Sequence, residues 1–372
     1  MPKVIALAHF IVALISEAFK PLGPIFTDYL GIDIGVFASL LAILEGLAAF
    51  TQILWGYVAD RIKKEGLFGA FLLLTIIVAS ALLGFSRNAT MLFILIFIIK
   101  MAHSAFHPLG ASIAGKHLKG THIAIFCIMG TLGAALSPLL FGWFVSRYTI
   151  KSLPILAGVI FIFALPTLIK LMGVEKESIP HHRPSQGSLW SIGALVLIVS
   201  IRALIMEIFH TYMPFYIKAQ GGSPIRWSSI LTGGIFIGMI FNYIGAHLSE
   251  KVSIRYINAI GFGTMAVAGV LFIESHTTLL QTLFFMLFDA GVFFTMSANI
   301  TYAQSLSPHR KGMASASVMG LSKGIGNILA GAYAGVFGKN IVFMLSSGVL
   351  LSISMAIISL FILGNKNQGE IY

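Results

Sequence analysis

The chain has 372 residues, of which 57% are hydrophobic and only 10% charged, and its formal net charge is +11. Soluble domains carry roughly 25% charged residues, so this composition, with a mean hydropathy of +0.93, excludes an ordinary soluble enzyme or nucleic-acid-binding domain. The single cysteine, Cys127, can form no intramolecular disulfide.

A spanning helix needs about 20 mostly apolar residues. Segments of that kind fall at 4–27, 34–58, 67–86, 90–113, 122–146, 152–173, 188–217, 227–248, 256–274, 278–303, 313–337 and 341–363, here numbered spans 1 to 12. The first contains Glu17 and Lys20 and no convincing small-residue cleavage site, which predicts a retained span rather than a signal peptide. Short charged turns separate most spans. The long polar connector, 174–187, is rich in charge and proline and reads as a linker between an N-terminal six-helix unit, 1–173, and a C-terminal one, 188–372.

The basic residues are placed asymmetrically. With the N-terminus inside, fourteen of the 24 lysines and arginines fall on that side, among them Arg61, Lys63, Lys64, Lys251 and Arg310. Six fall on the other side (Arg87, Arg147, Lys151, Lys218, Arg226 and Lys339), and four lie inside spans. This is the positive-inside pattern. It predicts both termini in the cytoplasm of a multi-pass protein of the inner membrane, and it accounts for the net charge without a nucleic-acid partner.

The two units repeat at an offset of 190. Ile11, Ala13, Leu14, Ile15, Glu17, Phe19, Pro24 and Gly31 meet Ile201, Ala203, Leu204, Ile205, Glu207, Phe209, Pro214 and Gly221. Six spans restore the original orientation, so the repeat is parallel, with an axis along the membrane normal.

Ionisable residues inside spans cost at least ~2.5 kcal/mol each and face a cavity or a partner. Span 1 carries His9, Glu17 and Lys20; span 2 carries Glu45; span 4 carries Lys100, His103 and His107; span 7 carries Arg202, Glu207 and His210; span 10 carries Asp289. Lys100, His103 and His107 share one helical face. Glu17 and Lys20 stand three apart, as do Glu207 and His210. Two readings are open: structural pairs in which Glu17 neutralises Lys20 and Glu207 neutralises Arg202 or His210, or cavity groups that carry a proton through the cycle. Lys323 in span 11 has the choice of Asp289 or the cytoplasmic surface. The sequence predicts no metal site: His-Glu-x-x-His is absent, and His181-His182 lies in the polar linker.

The turn Gly56-Tyr57-Val58-Ala59-Asp60-Arg61, between spans 2 and 3, returns in layout as Ala246-His247-Leu248-Ser249-Glu250-Lys251. It resembles the loop signature of the major facilitator superfamily. Phe106-His107-Pro108 with the small residues after it, and Ala303 to Ser315 leading into the glycines of span 11, resemble the fosmidomycin resistance group of efflux pumps. The resemblance implies an all-α membrane protein with twelve transmembrane helices in two parallel-repeat six-helix bundles, and spans 1, 4, 7 and 10 lining a central cavity. It also implies a cytoplasmic gate at Gly56, Asp60, Arg61, Glu250 and Lys251, with Asp60 against the start of span 11. The expected activity is proton-coupled export of a small amphipathic or anionic compound, by a monomer that uses the proton gradient and no cofactor. Uptake of an organic anion and a non-transporting sensor remain open as alternatives. Gly130-Thr131-Leu132-Gly133 in span 5 fits either close helix packing or an antiporter motif.

Overall fold

The computed structural model describes residues 2–59, 61–115, 120–174, 189–306 and 317–362. All the regular secondary structure among them is helical. Eleven of the described helices are long and apolar enough to cross a membrane. The twelfth apolar segment comprises a short π-helical stretch, Ser317–Leu321, and the helix Ser322–Phe337. Helix boundaries lie within a few residues of the expected spans. Two spans are interrupted. Span 1 consists of Pro2–Ser16 and Phe19–Leu30, and span 10 of Thr278–Phe294 and Met296–Leu306.

The break in span 1 has a cause in the sequence. Pro21 has no N–H to give the carbonyl of Glu17, and its ring clashes with that carbonyl; the helix opens at Glu17–Ala18. At the equivalent place in the repeat the residue is Thr211, and span 7 runs unbroken from Leu189 to Ala219. Where span 1 and span 7 end, the repeat is kept to the backbone angle. Gly31 and Gly221 both take positive φ, +65° and +78°, a conformation that closes a helix at little cost only for glycine.

Contacts between spans obey the same repeat. Span 1 packs on span 5 as 7 does on 11, 2 on 4 as 8 on 10, and 3 on 6 as 9 on 12. Two buried apolar clusters result, one drawn almost entirely from residues 5–174, the other from residues 195–355 with Ala38, Ala42 and Ala135. The halves meet through span 2 against span 11 and span 5 against span 8. Large side chains on the outer helices, such as Phe71, Phe163, Val267 and Phe361, are exposed, as befits surfaces facing lipid.

At one face the halves are pinned together. Lys218 pairs with Asp28 and donates to the carbonyl of Pro24 at 3.3 Å, Trp227 Nε1 donates to the carbonyl of Pro21 at 2.8 Å, and Lys339 lies 3.7 Å from Asp33.

Candidate functional site

The charged residues of the spans converge. Lys20, carried on the second half of the broken span 1, donates to Glu207 Oε2 of span 7 at 2.8 Å and lies 3.3 Å from Glu45 Oε2 of span 2. Lys100 of span 4 takes the other oxygen, Glu45 Oε1, at 2.7 Å and reaches Glu17 Oε1 at 3.5 Å. Asn327 of span 11 donates to Glu45 Oε2 at 3.3 Å. Lys20, Glu45, Lys100 and Glu207 are all buried. Glu45 is therefore the hub, receiving two ammonium groups and an amide from three different spans.

This network departs from the pairing expected along single helices. The break forced by Pro21 falls between Glu17 and Lys20, so the two are sent to different partners: Glu17 to Lys100, Lys20 to the opposite half. Glu207, taken by Lys20, is matched with neither Arg202 nor His210. Its second oxygen accepts from Thr211 Oγ1 at 3.0 Å. A threonine in place of the proline thus leaves span 7 unbroken and holds its carboxylate.

The remaining charges of the C-terminal half form a second group. His210 Nε2 and Asp289 Oδ1 are 2.7 Å apart and buried, while Asp289 Oδ2 has no hydrogen-bond partner among the described residues. Asp289 is therefore matched with His210 rather than Lys323, which lies exposed. Arg202 donates from Nη1 to the carbonyl of Val292 at 3.3 Å, and its Nε finds no acceptor among the described residues. Among the described residues, no carboxylate lies within salt-bridge distance of Arg202. An unmatched guanidinium with five donors in a fixed fork suits an anion.

Three histidines, His9 of span 1 with His103 and His107 of span 4, also meet. His9 Nδ1 donates to the carbonyl of Phe126 at 2.8 Å, with its ring stacked on that of Phe126 at 4.0 Å between centroids. His103 and His107, one turn apart on span 4, bring their Nε2 atoms to 2.9 Å. A Cβ on Gly130 would overlap the His9 ring, and one on Gly133 would overlap the Phe10 carbonyl. Both glycines of that span 5 motif thus serve close packing, which is how helices associate in lipid.

The candidate gate residues are engaged within their own halves. Arg61 lies over the ring of Tyr57, 3.3 Å from its centroid, and Glu250 sits 3.7 Å from His247. Lys251 is exposed. Gly56 has room for a side chain, its nearest neighbour being Pro108 of the same half at 3.9 Å. Asp60 lies outside the described residues.

Sequence reasoning found the charged positions but missed the break at Pro21, the role of Thr211 and the gathering of the histidines. The signal for the break was present, since a proline four residues after a carbonyl removes its helical bond. Contacts between spans far apart in sequence carried no such signal.

Comparisons with known proteins agree with this architecture. A curated relative, the fosmidomycin resistance protein of Escherichia coli (strain K12), is 25% identical over 243 residues, 60% of this chain and 59% of the relative's length. The match thus spans less than two thirds of that protein. Among solved structures, the nucleoside transporter NupG superposes with a TM-score of 0.80 over 98% of this chain and 100% of its own, at 16% identity. The peptide transporter POT in complex with sulfate gives 0.81 over 100% and 96%, at 15% identity. A bacterial homolog of the human lysosomal transporter Spinster, in an inward-facing and unoccupied conformation, gives 0.72 over 100% and 95%, at 13% identity. The family profile of the Major Facilitator Superfamily matches residues 5–331. This chain is a member of the Major Facilitator Superfamily, a multi-pass membrane transporter and not an enzyme.

Proposed function

We propose that the protein is a proton-coupled secondary transporter working by alternating access in the inner membrane, with both termini cytoplasmic, and that it moves a small amphipathic or anionic compound. The observation that carries this reading is the position of Lys20 between Glu45 of its own half and Glu207 of the other. A charge pair across the two halves couples occupancy to conformation: neutralising Glu207 with a proton frees Lys20 for an anion and loosens one tie between halves. Arg202, without a carboxylate partner among the described residues, supplies a second cationic anchor, and His210 and Asp289 are matched with each other. On the positive-inside orientation, the face pinned by Asp28 and Lys218 is the external one, so this conformation is closed to the outside. The gate at Asp60 would then form only when the protein opens outward.

Export is the direction favoured by the likeness to the fosmidomycin resistance protein. The Lys20–Glu207 pair favours a second direction. If a proton must reach Glu207 before an anion can bind Lys20, the two travel together, which is uptake. Fosmidomycin, named in the relative, is the first probe. Cellular accumulation is measured with and without a protonophore. Export predicts low accumulation that rises on uncoupling, and uptake predicts high accumulation that falls. No response for fosmidomycin or for a panel of small carboxylates and phosphonates would overturn the transport reading and favour a sensor.

A further inference from the structure

We propose that His9, His103 and His107 form a binding site for a divalent transition-metal ion of the Zn²⁺, Ni²⁺ or Co²⁺ class, set in the N-terminal half beside the Lys20–Glu45–Lys100 network. The ligating nitrogens of the three rings lie within 4.8 Å of one another. Around a tetrahedral ion with metal–nitrogen bonds of about 2.0–2.1 Å, geometry puts ligand atoms roughly 3.3 Å apart. Small side-chain rotations therefore suffice. The 2.9 Å His103–His107 contact opens slightly and the longer separations shorten.

Three features make this a built site rather than a chance cluster. His103 and His107 stand four apart on span 4, the spacing at which two imidazoles on one helix face the same point. His9 is fixed by its outer nitrogen: Nδ1–H donates to the Phe126 carbonyl, which leaves Nε2 as a lone pair and supplies the outer support that metal-bound histidines require. Gly130, through its lack of a side chain, leaves the space the His9 ring occupies.

Charge permits the ion. Lys20 and Lys100 with Glu17, Glu45 and Glu207 sum to −1 when all are ionised, and the ammonium of Lys100, three residues before His103 on span 4, is held by Glu45 and Glu17. Lys323 also lies within electrostatic reach of the pair, but from an exposed position where solvent screens it. Imidazole selects this class of metal over Mg²⁺ or Ca²⁺. His9 is buried while His103 and His107 are partly exposed, so the fourth coordination position faces the open side of the site. The site does not depend on the direction or substrate of transport.

The test uses full-length, tag-free protein carrying His181→Ala/His182→Ala to remove the linker histidines. After stripping with a chelator it is titrated with Co²⁺ and Zn²⁺ by calorimetry, and the Co²⁺ form is examined by visible and X-ray absorption. The expected result is one equivalent bound, with imidazole scattering at the metal. His9→Gln and the double change His103→Gln/His107→Gln should each weaken binding at least about tenfold in protein that remains monodisperse. Unchanged binding in the double variant, or absence of imidazole scattering in protein with the triad intact, would overturn the site. The second measurement needs no variant of the triad to fold.

Discussion

The ammonium of Lys20 donates to Glu207 Oε2 at 2.8 Å across 187 positions of sequence, tying span 1 of the N-terminal half to span 7 of the C-terminal half. Removing one partner of a buried ion pair leaves an uncompensated charge, at a cost of roughly 3–5 kcal/mol. Here Glu45 remains beside Lys20, which places the loss at the lower end. Thermal unfolding in detergent should therefore show Glu207→Gln less stable than the parent, with Lys20→Met/Glu207→Gln recovering at least half the loss. Equal destabilisation by the single and double changes would mean that the pair is not coupled.

Glu45 has more partners than either. It receives Lys20, Lys100 and Asn327, so Glu45→Gln weakens the hold on two ammonium groups at once, leaving Lys20 with Glu207 alone and Lys100 with Glu17 alone. It should be the most damaging single neutralisation among Glu17, Glu45 and Glu207 in the same unfolding measurement. The partly buried Glu17, with one partner at 3.5 Å, should be the mildest.

The fold was legible because its signals are local. Spans follow from runs of apolar residues, the parallel repeat from Glu17/Glu207, Pro24/Pro214 and Gly31/Gly221 at one offset, and both glycines adopt the left-handed angle. That charged groups of different spans would seek partners was legible too, because charge inside a span is expensive and so conspicuous. Its pairing was not. Helical spacing joins Glu17 to Lys20, but a proline one residue beyond Lys20 breaks the helix between them. Glu45, ambiguous on its own helix, became the hub through residues of spans 1, 4 and 11 that no periodicity links to it.

The break itself is open to test. Pro21→Ala restores the missing N–H, and span 1 should close into one helix, turning Glu17 away from Lys100. Transport should fall sharply while the protein stays folded and inserted, as followed by accumulation assays alongside thermal stability. Full transport in Pro21→Ala would show that the break is incidental.

Close packing of spans 1 and 5 gives a steric prediction. Gly133→Ala forces a methyl into the Phe10 carbonyl, and overpacking of this kind costs typically ~1–3 kcal/mol. Gly158→Ala in span 6, where nothing among the described residues lies within 4 Å, should leave the unfolding temperature near that of the parent.

The pinned face separates stability from conformation. The Asp28–Lys218 pair is largely exposed, and such pairs contribute ~0–1 kcal/mol. Asp28→Asn should change unfolding little, yet shift the resting population toward opening at that face. Labelling of an introduced cysteine at Phe215 by a membrane-impermeant maleimide, in a Cys127→Ser background, should then rise.

The most direct test of the central claim, that Glu207 controls the tie between halves through Lys20, needs no substrate. Spin labels at Arg87 and His276, exposed on the pinned face of either half, report the separation of the halves by double electron–electron resonance in a Cys127→Ser background. With Glu207 intact, acidification should shift the distances toward longer values as the carboxylate takes a proton and releases Lys20. Glu207→Gln should give the long-distance population at every pH. If Glu207→Gln keeps the same acid-induced shift as the parent, the proton acts elsewhere and the coupling assigned to Lys20 and Glu207 is wrong.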